Sequence, residues 1–108
     1  MAEFNISGRM TVKSLRSQFE NTYGLELRVY NGSTFADEDA TLASISAKKV
    51  DDFECRSHMQ IGNFETRFKD STGIKVQVAT LSNARTEPNL LVNNSFTLGE
   101  ASEKFKPL

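Results

Sequence analysis

The chain contains no tryptophan, one cysteine, one histidine and two prolines in 108 residues. A single cysteine excludes an internal disulfide framework. One cysteine with one histidine also falls short of the four ligands of a structural zinc site. No apolar run approaches the ~18 residues that span a bilayer. Charge of one sign is lacking too: 13 Lys and Arg stand against 14 Asp and Glu, a formal charge of −1. Such a balance exerts no global pull toward nucleic acid or an anionic membrane. Neither a phosphate-binding Gly-x-x-x-x-Gly-Lys-Ser/Thr loop nor a Gly-x-Gly-x-x-Gly fingerprint occurs. The length suits one domain, residues 1–108, with a core of real size.

The first ten residues hold neither a basic segment nor an apolar stretch of leader length. The sequons at Asn5, Asn31 and Asn93 then read as chance matches. The lone Cys55 suits a reducing compartment, so the expected location is the cytoplasm.

What is present is a repeat with an offset of 49, dividing the chain into units of about 2–49 and 51–105. Phe4, Met10, Phe19, Gly24 and Val29 meet Phe53, Met59, Phe68, Gly73 and Val78. Ile6 meets Cys55, Val12 meets Ile61, and Leu15 meets Phe64. Tyr23, facing Thr72, breaks the apolar correspondence. Each unit has physical meaning. Phe4 and Ile6 alternate, as do Phe53 and Cys55, which predicts strands with one buried face. Val12, Leu15, Phe19 and Tyr23 fall on one helical stripe, as do Ile61, Phe64 and Phe68. Gly24 and Gly73 then occupy the left-handed residue that ends a helix. Leu25, Leu27, Val29 and Ile74, Val76, Val78 alternate as second strands. A second correspondence, at offset 56, aligns Phe35 with Leu91 and Thr41 with Thr97. It predicts short helices near 41–48 and 97–105, the latter opened by the capping-box spacing of Thr97 and Glu100. The change of offset places seven extra residues around Thr80 to Pro88, in a segment where Leu90 to Val92 form a brief edge strand.

The expected fold is therefore α+β, a two-layer sandwich from a tandem βαβ duplication with a short helix after each unit. A ferredoxin-like strand order, 4-1-3-2, satisfies the implied dyad, and so does 2-1-3-4. The sheet face away from the helices carries Glu3, Asn5, Ser7 and Arg9, then Glu26, Arg28 and Tyr30, then Asp52, Glu54, Arg56 and His58, then Lys75 and Gln77. It is polar and mixed in sign, as suits a solvated or partner-binding surface. Its outward positions on the first and third strands hold no aromatic residue of the kind RNA-recognition sheets use for stacking.

No catalytic constellation emerges. Cys55 and His58 are three apart in a strand and point to opposite faces. Asp37, Glu38 and Asp39 lack the ligand series of a calcium loop and read as a loop end before a helix. Lys13, Arg16, Glu65 and Lys69 read as solvated helix surface, with Glu65 and Lys69 spaced as an i, i+4 pair. The function this supports is a small non-catalytic protein-binding or regulatory module without cofactor or metal. Its candidate partner-binding residues are Asn83, Arg85 and Glu87 in the inserted loop and Arg9, Arg28, Arg56 and His58 on the sheet. A homodimer through the open face or the Leu90–Val92 edge is one form of it. Alternative readings are a nucleic-acid-binding regulator and a small-ligand or metal-binding domain.

Overall fold

The computed structural model describes residues 3–46, 49–50, 53–84 and 88–107, with the backbone alone for Glu3 and Phe53. It is a small α+β domain of two antiparallel sheets and four helices. In chain order these are β1 (Glu3–Ile6), α1 (Val12–Tyr23), β2 (Leu25–Asn31), β3 (Thr34–Phe35), α2 (Leu42–Ile45), β4 (Phe53–Arg56), α3 (Ile61–Thr72), β5 (Val76–Thr80) and α4 (Leu98–Phe105).

Local chemistry explains the helix ends. Thr11 caps α1, its side chain accepting the Ser14 N–H at 3.0 Å. Thr97 and Glu100 form a reciprocal capping box on α4. Gly24 and Gly73 close α1 and α3 at φ 66° and 74°, conformations that cost a β-carbon-bearing residue energy. α2 is one turn long, shorter than the expected 41–48; residues 47 and 48 lie outside the described residues.

The apolar stripes bury as their spacing predicts. Val12, Leu15, Phe19 and Tyr23 of α1 are buried, as are Ile61, Phe64 and Phe68 of α3. Phe19 stacks on Phe64 with ring centroids 5.7 Å apart, and Phe68 meets Phe64 edge-on. Thr72, where the apolar pattern breaks, is buried but satisfied: its hydroxyl donates to Phe68 O at 2.7 Å and accepts from Ile74 N–H at 3.1 Å.

Strand order is the main correction. The first strand pairs with β4, an adjacency common to both expected orders. The second pairs with β5, which neither 4-1-3-2 nor 2-1-3-4 contains. The sheets are β1-β4 and β3-β2-β5. The reason lies in the outer edges of β2 and β5, whose backbone groups are already engaged. Val29 O accepts from Ala36 N and Val78 O from Val92 N, so the connection after each strand folds back along it. Leu27 O accepts from the Arg16 side chain, and Val78 N–H donates to Glu65. Strands β1 and β4 therefore find their partners in each other. The expected Leu90–Val92 edge strand is a single bridge from Ala79 to Leu91, flanked by the Thr80 N–Leu90 O and Val92 N–Val78 O bonds. β3 is an element the sequence reading did not anticipate.

Candidate functional site

The β3-β2-β5 sheet buries Leu25, Leu27, Val29, Val76 and Val78 on one side. Alternation then turns Glu26, Arg28, Tyr30, Lys75 and Gln77 to the other. Register places Arg28 opposite Gln77 and Glu26 opposite Ala79 at the centre of this outer face. Its polar groups are mutually satisfied. Arg28 Nε bonds Glu26 Oε1 at 2.8 Å, and the Tyr30 hydroxyl donates to Gln77 Oε1 at 2.7 Å.

The apolar part of the face lies at its two edges. Tyr30 pairs with Phe35 across the β2-β3 turn, and their rings stack at 5.2 Å with an interplanar angle of 23°. The Lys75 ammonium sits 5.4 Å from the centre of the Tyr30 ring, within cation–π range. Despite the stack, Phe35 remains 67% exposed. On the far edge Leu91 pairs with Ala79, so the two side chains share a face. Leu90 and Leu91 are 52% and 54% exposed. Phe35, Leu90 and Leu91 are the exposed large hydrophobics among the described residues.

The sequence candidates are dispersed. Arg28 lies on this face, tied to Glu26. Arg56 lies on the other sheet, bonded to Glu54 on its own strand. Arg9 and His58 are exposed in the turns that follow β1 and β4. Arg9 borders an open groove with Ser7, Thr41 and Lys49. Asn83 is exposed in the turn after β5, while Arg85 and Glu87, like Asp52 and the Glu3 side chain, lie outside the described residues. Among the described residues, Arg9, Arg28 and Arg56 are thus not brought together. The structure adds instead Phe35, which stands on the two-residue strand β3 opposite Tyr30. The signal was present: Asn31-Gly32 is a hairpin turn, and Gly32 takes φ 68°. A strand returning from that turn sets Phe35 beside Tyr30.

Reactive chemistry has little to work with here. Cys55 is fully buried, and burial pushes its thiol up to about 12, opposed by a contact of 3.6 Å with the Tyr23 hydroxyl. A protonated, inaccessible thiol is not a nucleophile at neutral pH. Asp37 Oδ1 accepts the Asp39 N–H at 2.9 Å, closing a local turn before α2. Among the described residues no three His, Cys, Asp or Glu side chains converge as a metal site would require. No described helix is long and apolar enough to cross a membrane. Comparison with protein-family models, with curated proteins and with solved structures finds no match to this chain.

Proposed function

We propose that this chain is a small non-catalytic protein-binding module of the cytoplasm, built from two copies of one unit, that meets its partner through the outer face of the β3-β2-β5 sheet. One observation carries the reading: the Tyr30–Phe35 stack with its exposed Phe35 ring at one edge of the face, answered by Leu91 at the other. Single exposed apolar residues are ordinary. Here they bracket a polar centre whose ion pair and hydrogen bond are already made within the chain. A partner covering that centre meets the Arg28 and Glu26 charges already paired with each other. The Phe35 ring is held by Tyr30, so little side-chain entropy is lost when it is buried. Aromatic anchors of this kind tend to dominate interface energies. Asn83 lies in the turn after β5, and the Asn89 N–Leu81 O bond joins the described residues on either side of the segment whose Arg85 and Glu87 complete the candidate set. A second copy of the chain is one form the partner takes.

A second reading, binding to single-stranded nucleic acid, draws on the same aromatic pair with Lys75 and Arg28 beside it. Stacking platforms with cationic neighbours suit unpaired bases. The Glu26 carboxylate on Arg28 weighs against it. Affinity capture with the wild type, Phe35→Ser and a Ser82–Pro88 deletion separates these cases. The protein-binding reading expects a partner retained by the wild type in moderate salt and lost with Phe35→Ser. Equal recovery with Phe35→Ser contradicts it. Retention of RNA that collapses as salt rises favours the second reading.

A further inference from the structure

Two crevices flank the β2·β5 ribbon, one between α1 and β2, the other between α3 and β5. They are built from positions 49 apart, yet their charges are reversed. Arg16 on α1 corresponds to Glu65 on α3, Glu20 to Lys69, and Glu26 to Lys75. The connecting segment contributes Glu38 to the first crevice and Asn94 to the second.

The first crevice is complete in itself. The Arg16 guanidinium spans it, with Nε donating to Leu27 O at 3.0 Å and Nη1 bonded to Glu38 Oε1 at 2.8 Å. In the second, the helix supplies the carboxylate, and no guanidinium is among the described residues that line it. Glu65 is half-buried, and its Oε2 accepts the Val78 N–H at 3.2 Å. Burial raises its pKa, while the Val78 N–H and the nearby Lys75 hold it down. On the side toward Leu91 the carboxylate opens into a niche of about 380 Å³. Gln77, Asn93 and Asn94 line it with Glu65 and Leu91; the Gln77 Oε1 is taken up by the Tyr30 hydroxyl and the Asn93 Oδ1 by Ser95. Lys69 and Lys75 border the neighbouring cavity, not this one, and the Lys75 ammonium is drawn over the Tyr30 ring.

From this reversal we infer that the niche beside Glu65 is a receptor for an arginine side chain of the partner. The two oxygens of the Glu65 carboxylate, with Asn94 beside it, match the planar, five-donor fork of a guanidinium better than the compact ammonium of lysine. In the other half of the same molecule a guanidinium does lie between helix and strand, where Arg16 bridges Leu27 O and the Glu38 carboxylate. Leu91 belongs both to the niche and to the outer face, so the recognised segment carries an arginine beside an apolar residue. This specificity rests on the protein-binding reading above.

The test needs no knowledge of the partner. N-acetyl-arginine amide is titrated into the full chain at neutral pH and low salt while backbone amide shifts are followed. The same is done with N-acetyl-citrulline amide, which has the shape without the charge, and with N-acetyl-lysine amide. The expected result is saturable shifts at Gln77, Val78, Asn93 and Asn94 with the arginine compound, none with citrulline, and weaker binding of lysine. Glu65→Gln keeps an acceptor for the Val78 N–H and is expected to weaken the arginine response at least tenfold. No saturable shift at these residues, equal shifts with citrulline or lysine, or an unchanged response in Glu65→Gln overturns the inference. Phe35 lies on the opposite edge of the sheet. A partner that loses affinity with Phe35→Ser but not with Glu65→Gln therefore leaves the binding face standing and removes the arginine site alone.

Discussion

Asn5 lies directly opposite Glu54 in the β1·β4 pair, 49 positions further along the chain. The same separation relates Arg28 to Gln77 in the β2·β5 pair. Each of these two antiparallel strand pairs thus contains one cross-strand pair with the offset of 49. The connections follow the same relation. Val12 N bonds Ala40 O as Ile61 N bonds Phe96 O, and Leu42 N bonds Met10 O as Leu98 N bonds Met59 O. These matches are what the proposed duplication expects, and the departures from them can be tested.

One departure is at the helix starts. Thr11 caps α1 with its side chain, whereas Gln60, the corresponding residue before α3, makes no such bond. Gln60→Thr is expected to stabilise the protein by about 0.5–1 kcal/mol, and Thr97→Ala to cost about 1 kcal/mol. Urea unfolding checks both, with the midpoint moving at constant slope.

Glycines give a second contrast. Gly24 and Gly32 both have positive φ, at 66° and 68°. A β-carbon at Gly24 lies 2.6 Å from Lys106 Cβ, while one at Gly32 meets nothing within 4 Å. Gly32→Ala is expected to cost about 1 kcal/mol through backbone conformation alone. Gly24→Ala is expected to cost measurably more, because the segment after α4 must also move. Thermal melts of the two variants report the difference.

Much of this was legible in the chain. The phases of Leu15, Phe19, Phe64 and Phe68 located two buried helix faces, and Gly24, Gly73, Thr97 and Glu100 marked helix ends through local chemistry. Strand order was not legible, because it depends on which edge groups of β2 and β5 are engaged from a distance. Arg16 and Glu65 show why: their spacing on an exposed helix stripe says solvent, and Glu65 with Lys69 reads as a surface pair. Their hydrogen bonds go instead to the backbone of Leu27 and Val78, 11 and 13 residues away. Phe35 was hidden by its alignment with Leu91, a correspondence that identified equivalent positions without saying that both are exposed.

Cys55 should behave as a buried methyl-sized group rather than a reagent. At pH 8 the folded chain is expected to react with a thiol-specific dye at least 100-fold more slowly than the urea-unfolded chain, since the thiolate is scarce and enclosed. Because its folded pKa lies above the ordinary 9.0, at about 12, stability should fall as pH rises through that interval. Labelling rates and alkaline urea melts measure the two effects.

Glu65 has the same sign at the acid end. Its carboxyl is raised above the ordinary 4.5, so the folded state holds this proton more tightly than the unfolded one. The group therefore penalises folding once ionised, and the penalty is relieved as pH falls through the folded value. Glu65→Gln is expected to be at least as stable as the wild type at pH 7, with its advantage shrinking as the solution is acidified. A urea series between pH 4 and 7 checks the trend.

The most direct test of the binding face is the dissociation constant of a captured partner, purified and titrated against the wild type and against the folded double variant Phe35→Ser/Leu91→Ser. Removing one apolar anchor from each edge of the β3-β2-β5 sheet is expected to weaken the complex at least 100-fold, about 2.7 kcal/mol, while leaving the core strands intact. An affinity within twofold of the wild type would place the partner elsewhere and contradict the assignment of this face.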